Sequence, residues 1–307
     1  MDFEKIRTDF EKRYGKKCEK IFFAGKKIEL FEKNGLSVSA CLTVGEAMAT
    51  SARGDGKITL QFSGTDDMVS FNVAELYENR KNKLAEILIK AKNFGITPMG
   101  ADIFVFKNTL ITDLFNTLVL GGMSAFCSNV PQKEKLLPHF EDFAESMKIL
   151  SGKCRRFTVF DGQKVSYASF FGGKYKVVLV CDKEAQPLEK PLQKSSADEG
   201  LLAIKKGDAE IFGTLLDKDS QRYLKGCKKS KTHNIYSSVF SSGDAIGSGI
   251  MEDGNVFSFV ENDKIDCFVR NTSSGYKKYF GGNLEFYVTD FADSGFFTKE
   301  NQTIFGE

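Results

Sequence analysis

Helical and β-type hydrophobic patterns follow one another along this chain without a regular strand–helix–strand rhythm. Phe3, Ile6 and Phe10 recur at helical spacing over residues 2 to 14, whereas residues 57 to 62 alternate between apolar and polar side chains. This mixture predicts an α+β fold with mixed or antiparallel sheets and helices packed on them. The 307 residues are enough for one large domain or two medium ones.

The same patterns predict the remaining elements of the fold. Further strands are predicted at residues 20–31, 101–107, 156–160, 164–170, 175–181, 255–260 and 284–289. Further helices are predicted at residues 79–94, 112–128, 141–150, 201–224 and 264–280. Residues 183–200 contain two prolines and several charges, so they are predicted to form a surface connection.

Composition excludes several classes of function. The formal net charge is only +2 and the basic residues are dispersed, so no nucleic-acid partner is expected. The first residues are charged, and no run of about 18 apolar residues exists, so neither a signal peptide nor a membrane span is expected. The 29 phenylalanines, in a chain without tryptophan, are expected to form much of the core.

Cysteine and histidine usage indicates a reducing compartment. The seven cysteines show no paired spacing, which favours free thiols in a cytoplasmic protein over disulfides or a zinc site. His139 and His233 are the two histidines, so a histidine metal site or a Ser–His–Asp triad is not expected. No metal-binding residues are therefore assigned.

Three stretches of the chain, in order, resemble the motifs of one protein family. In the first, residues 21–31, which follow Tyr14-Gly15, lie in register with the pattern APGRVNLIGEHTDYNGG. Asn34-Gly35 resembles the end of that pattern. The arginine of the pattern is replaced by Lys27 and its asparagine by Glu29. The GEHTD part is shortened and is not recognisable.

The second stretch begins at Gly100-Ala-Asp-Ile-Phe-Val, which is similar to the Gly-x-Asp strand before the phosphate loop PxGxGLSSSA. Without a gap, Leu110 stands in place of the proline of that loop. Its two glycines and three serines are replaced in turn by Thr112, Leu114, Asn116, Thr117 and Leu118.

The third stretch, AIKKGDAEIFGTLL at residues 203–216, resembles the helix KxGDxxxFGxLM. Further along, Gly249 and Gly254 stay in register with the motif MTGAGFGG. On these three stretches the chain resembles galactokinase, of the GHMP small-molecule kinase superfamily. The resemblance implies a two-lobed α+β fold, with lobes at residues 1–165 and 166–307, in which ATP and a sugar meet between the lobes.

The altered phosphate loop changes the chemistry that the resemblance implies. Thr112, Asn116, Thr117, Gly249 and Gly254 would bind nucleotide, but glycines allow amide groups to converge on a phosphate and bulkier residues do not. Asp113 adds a carboxylate at the positive end of a helix, where it repels phosphates. The alternative interpretation is that residues 112–120 are a packed helix with a Thr or Asp N-cap.

The resemblance also implies a catalytic carboxylate and a sugar site. Glu141 or Asp142 would be the base that takes a proton from a sugar hydroxyl, beside Lys27. Glu29 and Asn34 would contact the substrate. Alternatively, the two acids only begin a helix after Pro138, where acidic residues are common.

Three functions remain open from the sequence. The first is a galactokinase-like protein that no longer transfers phosphate and binds a small ligand, a sugar or nucleotide, or a protein partner. The second is an active kinase that uses ATP and Mg on galactose or a related molecule, with Glu141 or Asp142 as base. The third is a structural or oligomeric module, which a large exposed apolar patch would indicate.

Overall fold

The computed structural model describes residues 1–108, 114–130, 144–162, 164–171, 173–190, 192, 195–293 and 297–298. The helices in these ranges are Phe3–Tyr14 (α1), Lys83–Asn93 (α2), Phe115–Gly122 (α3), Ala144–Leu150 (α4), Ala197–Lys206 (α5), Ala209–Lys225 (α6), Lys231–Ser242 (α7) and Ile265–Phe280 (α8). The strands are Lys20–Lys33 (β1), Leu36–Arg53 (β2), Lys57–Phe62 (β3), Met68–Asn72 (β4), Thr97–Pro98 (β5), Gly100–Phe106 (β6), Cys127–Ser128 (β7), Arg156–Asp161 (β8), Lys164–Ser169 (β9), Tyr175–Cys181 (β10), Ala245–Ile250 (β11), Val256–Glu261 (β12), Glu285–Thr289 (β13) and Phe297–Thr298 (β14).

This architecture is α+β, as predicted. Strands β3 and β6 pair in parallel, whereas β6 with β2, β3 with β4, and β10 with both of its neighbours pair antiparallel. In the ranges described, no helix is both long enough and apolar enough to cross a bilayer.

The chain divides into two compact units. The first comprises residues 1–26, 43–152 and 293–307, and the second comprises residues 27–42 and 153–292. The domain boundary expected after residue 165 stays a prediction.

The first unit is built on the strand order β14-β1-β2-β6-β3-β4. Helix α1 begins at the N-cap Asp2, whose carboxylate accepts from the Lys5 amide at 3.0 Å, and ends at Gly15 in the left-handed conformation. Ile6 and Phe10 are buried in a cluster with residues of β1, β2 and β6. The amphipathic pattern of residues 2–14 thus correctly predicted a helix packed on a sheet.

Helix α3 lies in the core of the first unit. A Cβ at Gly121 would be 2.0 Å from the Phe22 ring, and one at Gly122 would be 2.2 Å from the Met48 methyl. The helix is therefore pressed against β1 and β2, and only glycine fits at these contacts. The prediction of a buried helix is confirmed over Phe115–Gly122 and is too long at its C-terminal end, where β7 follows instead.

The second unit contains a smaller sheet with the order β11-β12-β10-β13. Its strands β8 and β9 belong to the larger sheet instead, in which β8 pairs with residues 36–39 of β2 and β9 pairs with β8. A phenylalanine cluster fills its core, with ring centroids 4.3 to 6.4 Å apart between Phe157, Phe170, Phe212, Phe259 and Phe291. This confirms that phenylalanine supplies much of the core.

The single helix predicted at residues 201–224 is wrong, because the structure has two helices there. Gly207 ends α5 with a φ of 70°, and Asp208 begins α6 by accepting from the Ile211 amide at 3.0 Å. Helix α5 also begins at Ala197, inside the segment that was expected to be a surface connection.

The sequence patterns did not predict β2, α7 or β11. Helix α6 packs on β11 through two glycines, Gly213 and Gly247. A Cβ at Gly213 would be 1.7 Å from the Ile246 carbonyl oxygen, and one at Gly247 would be 2.3 Å from the Gly213 Cα. The Phe212-Gly213 pair of the third resembling stretch therefore joins a core ring to a close helix–strand contact.

Candidate functional site

The candidate phosphate site is the start of α3, and a buried carboxylate lies there. The backbone N–H of Leu114, the residue before the helix, donates to Glu46 Oε2 at 3.1 Å. Glu46 is on β2 and is 1% exposed. The amide end of a helix attracts anions, and here the acceptor at that end is the carboxyl group of Glu46.

Sequence reasoning missed Glu46 as a residue of this site. It anticipated a carboxylate at the helix start but assigned it to Asp113, which lies outside the described residues. The available signal was an acidic residue in the otherwise apolar run from Val44 to Ala49. The neighbouring Gly45 packs so tightly that a Cβ would be 2.0 Å from the Ala24 carbonyl oxygen.

The conformation at Leu114 does not depend on glycine. Its φ of −93° and ψ of 10° are accessible to ordinary residues, and its side chain is 6% exposed. The position that is glycine in the resembling motif has thus become an ordinary core position in this chain.

Two residues predicted to bind nucleotide lie on the first turn of α3. Thr117 is 2% exposed, and the side-chain oxygen of Asn116 is buried without a hydrogen-bond partner. An unpartnered carbonyl oxygen is a hydrogen-bond acceptor, and it does not attract a phosphate. Thr112, the third residue of this group, lies outside the described residues.

The predicted Lys27 and Glu29 contact each other in the second unit. Lys27 Nζ is 2.6 Å from Glu29 Oε2, and the Ser37 hydroxyl donates to Glu29 Oε1 at 2.6 Å. Both charged side chains are less than one fifth exposed. The ammonium of Lys27 is therefore already neutralised by a carboxylate of its own strand.

Asn34, predicted to contact a sugar, forms the turn between β1 and β2 together with Gly35. Their φ angles are 53° and 83°, the left-handed geometry of a tight two-residue hairpin turn. Asn34 is exposed at this hairpin end, five residues from Glu29. The predicted catalytic residues Glu141 and Asp142 lie outside the described residues.

Gly249 and Gly254 belong to the hairpin of β11 and β12. A Cβ at Gly249 would be 2.0 Å from the Phe257 ring. Gly254 has a φ of 82° in the turn after β11, and a Cβ there would be 2.2 Å from the Gln186 carbonyl oxygen. Each glycine thus has a packing role within the second unit, and its nucleotide-binding role stays a prediction.

A half-buried acid lies beside β11. Asp217 on α6 accepts from the Tyr236 hydroxyl at 2.9 Å and from the Ser248 backbone N–H at 3.0 Å, both on Oδ1. Burial raises the pKa of Asp217 to about 6, and the two hydrogen bonds only partly oppose this. Burial also raises the pKa of Tyr236, with the nearby Asp217 carboxylate adding to the effect.

The described residues do not fit the ATP and Mg that the resemblance implies. The Leu114 amide at the start of α3 is bonded to Glu46, and Thr117 and the side-chain oxygen of Asn116 are buried. Within the described ranges, no three His, Cys, Asp or Glu residues are grouped so that they could hold a metal ion.

Comparison with known proteins places the fold. No protein-family model and no curated protein sequence matches the chain. The galactokinase of Lactococcus lactis, solved in complex with galactose, is similar in structure with a TM-score of 0.75 at 15% identity, over 97% of this chain and 99% of that chain. The mevalonate kinase of Methanococcus jannaschii is similar with a TM-score of 0.61 at 13% identity, over 88% of this chain and 98% of that chain.

The homoserine kinase of Cytophaga hutchinsonii extends this likeness, with a TM-score of 0.60 at 11% identity over 91% of this chain and 96% of that chain. The three neighbours act on different small molecules, so what they share with this chain is the arrangement of helices and strands. This chain therefore has the fold of the GHMP small-molecule kinases along nearly its whole length.

Proposed function

We propose that this protein is a non-catalytic, galactokinase-like member of the GHMP kinase superfamily, which binds a small ligand or a partner without transferring phosphate from ATP. The observation that carries the proposal is the hydrogen bond from the Leu114 amide to the buried Glu46 carboxylate. In this protein the helix start that would hold a phosphate is occupied by a carboxyl side chain of the chain itself.

The Glu46 carboxyl group competes with a phosphate for the Leu114 amide. Where that group is ionised, it also repels a phosphate, since two like unit charges about 4 Å apart repel by about 4 kcal/mol at the effective dielectric constant of a protein. That energy corresponds to roughly a thousandfold loss of affinity.

The packing of α3 supports the same proposal. Leu114 and Thr117, which replace a glycine and a serine of the resembling motif, are both buried. Opening this site to a triphosphate would expose these side chains and leave the Glu46 carboxylate without the Leu114 amide. The helix start is thus stabilised in its present form by both packing and hydrogen bonding.

The Lys27–Glu29 pair also fits a non-catalytic protein. A lysine that assists a catalytic carboxylate must offer its charge to that group or to the substrate, and Lys27 lies 2.6 Å from Glu29. In the alternative function, an active kinase with Glu141 or Asp142 as base, Lys27 would have to serve that base while it is paired with Glu29.

Calorimetric titration with Mg-ATP tests the proposal. The wild type is expected to release no binding heat at millimolar nucleotide and to form no ADP with a panel of sugars. Glu46→Gln keeps a hydrogen-bond acceptor for Leu114 and removes the charge, so any binding gained by this variant would identify Glu46 as the barrier. Glu86→Gln, at an exposed position on α2, is the matched control and is expected to behave as the wild type.

Micromolar binding of Mg-ATP by the wild type, with ADP formed in the presence of a polyol, would overturn the proposal in favour of the active kinase. In that case Glu141→Gln and Asp142→Asn identify the base, because only the variant that lacks it loses turnover while still binding nucleotide.

A further inference from the structure

The second unit contains a cavity of about 220 Å³ that the proposed function does not use. It lies between the loop after β10, at residues 184–189, and the turn that joins α6 to α7, at residues 223–233. Drug-sized ligands occupy cavities of roughly 300 to 1,000 Å³. This cavity therefore has room for a small molecule, well below the size of a nucleoside triphosphate.

The walls of the cavity are held by hydrogen bonds from several elements. Asp182, at the end of β10, accepts from the hydroxyl of Tyr276 on α8 and lies 3.7 Å from the ammonium of Lys231 on α7. On the other side, the Tyr223 hydroxyl donates to the Lys190 carbonyl oxygen at 3.1 Å. The loop is thus attached to three helices, so the cavity is formed before any ligand binds.

The charges around the cavity are uneven. Lys231 Nζ is 3.0 Å from the Glu184 carboxylate, so these two charges neutralise each other. Lys228 and Lys229 also line the cavity, are exposed, and have no carboxylate within 4.0 Å among the described residues. Glu189 is the other acidic side chain in the lining, which leaves an excess of positive charge.

The two helix ends at the cavity also differ. At the end of α6, the Leu224 carbonyl oxygen accepts from the Cys227 amide at 3.2 Å and lies 3.0 Å from His233 Nε2. At the start of α7, Ser230 and His233 form a capping box in which the Ser230 amide donates to His233 Nδ1 at 3.2 Å, and the amide groups of Lys231 and Thr232 have no acceptor among the described residues. The positive helix end thus keeps two amide groups for an anion, while the negative end is capped.

We propose that this cavity binds a small organic phosphate. Lysine is a common phosphate ligand, and Lys228 and Lys229 would contact the phosphate together with the first amides of α7. Leu188 and Leu224 supply an apolar wall for the rest of the molecule. The proposal concerns residues 184–233 alone and does not depend on whether the start of α3 binds nucleotide.

Cys227 provides a direct test, because its half-buried thiol lines the cavity. Alkylation of each cysteine is followed by mass spectrometry with phenyl phosphate or glycerol 3-phosphate present. A bound probe at about ten times its Kd is expected to slow alkylation of Cys227 roughly tenfold. The exposed Cys154 and Cys267 lie outside the cavity lining and are expected to react at unchanged rates.

A matched pair of variants tests the role of the lysines. The double variant K228Q/K229Q is expected to raise the Kd of the probe about tenfold, which at the same probe concentration reduces the slowing of Cys227 alkylation from roughly tenfold to about twofold. K205Q/K206Q neutralises two adjacent exposed lysines at the end of α5 and is expected to leave protection intact.

Three results would overturn the proposal. The first is no protection of Cys227 by either organic phosphate. The second is equal protection by sulfate or inorganic phosphate at the same concentration, which would show that the cavity does not select an organic group. The third is equal loss of protection in both double variants, which would reduce the effect to the overall charge of the protein.

Discussion

Arg53 Nη1 donates to the carboxylate of Asp102 at 2.9 Å, which joins the end of β2 to β6 in the first unit. Asp102 is 1% exposed, and it also binds the Lys16 ammonium at 2.5 Å and the Thr59 hydroxyl. Burial alone would raise the pKa of Asp102, but the hydrogen bonds from Lys16, Thr59 and Arg53 outweigh it and lower the pKa. The aspartate of the Gly-x-Asp strand thus connects four segments of the fold.

Asp102→Asn is expected to destabilise the protein by about 2 to 3 kcal/mol, because Lys16 and Arg53 lose a buried counter-charge while staying partly solvated. Urea denaturation followed by circular dichroism measures this. Asp55→Asn removes the exposed carboxylate on the same arginine and is the control, with a much smaller expected change.

The Asp102 effect has a defined pH dependence. A lowered folded-state pKa contributes stability above the unfolded pKa, near 4, and this contribution is lost as the pH falls through the folded value. The difference between the wild type and Asp102→Asn should therefore shrink below about pH 4. A difference that stays constant between pH 7 and pH 3 would contradict this assignment.

Asp217 is expected to have the opposite pH dependence. Its pKa of about 6 lies above the unfolded value, so its ionisation destabilises the fold as the pH rises from about 4 to 6, by on the order of 2 kcal/mol. Asp217→Asn keeps an acceptor for Tyr236 and Ser248 and removes the charge. It should be more stable than the wild type above pH 6 and equal to it below pH 4.

Denaturation midpoints measured from pH 4 to pH 8 test this prediction. Asp67→Asn, at an exposed position, is the control and should show no such crossover. If Asp217→Asn were less stable than the wild type at pH 8, the half-buried Asp217 carboxylate would be making a favourable interaction beyond its two hydrogen bonds.

Two glycines on helices provide a further prediction, in which one variant is the control for the other. Gly213→Ala places a Cβ 1.7 Å from the Ile246 carbonyl oxygen, so α6 must move away from β11, at a cost of about 2 to 4 kcal/mol. Gly275→Ala on α8 meets no atom within 4 Å and should stabilise the helix by about 0.5 to 1 kcal/mol. Thermal unfolding of both variants measures the two effects, and loss of stability in both would show that the close α6–β11 contact is not the cause.

The sequence predicted the parts of the fold that local patterns determine. Helix α1, with its Asp2 cap and its Phe10 face, needs only neighbouring residues to be recognised. The signals for the break at Gly207-Asp208 were equally local, since a glycine after two lysines and before a capping aspartate ends one helix and begins the next. The apolar pattern continues across that break, so one helix was predicted at residues 201–224.

The candidate site was harder to predict because its partners are distant in sequence. Glu46 and Leu114 are 68 residues apart, and no local pattern connects a glutamate in a strand to a helix start. The altered phosphate motif predicted a carboxylate at the helix start and assigned it to Asp113, which lies outside the described residues, and it did not indicate Glu46. Lys27 and Glu29 are only two residues apart on one strand, so their pairing is local. The family resemblance instead predicted a catalytic role for Lys27 and a substrate contact for Glu29.

Asn34 separates a structural role from the predicted sugar contact. Its φ of 53° is left-handed, and Asn and Gly tolerate this conformation better than other residues. Asn34→Ala is therefore expected to lower the free energy of unfolding by about 1 kcal/mol, whereas Asn34→Gly, which keeps the hairpin turn, should change it by less than about 0.5 kcal/mol.

Chemical denaturation measures the stability of the two Asn34 variants, and calorimetry with galactose measures binding. If Asn34 serves only the turn, neither variant alters the galactose titration. If Asn34→Gly, with its turn intact, abolished galactose binding that the wild type shows, the side chain would be a substrate contact, and the structural explanation of this residue would be wrong.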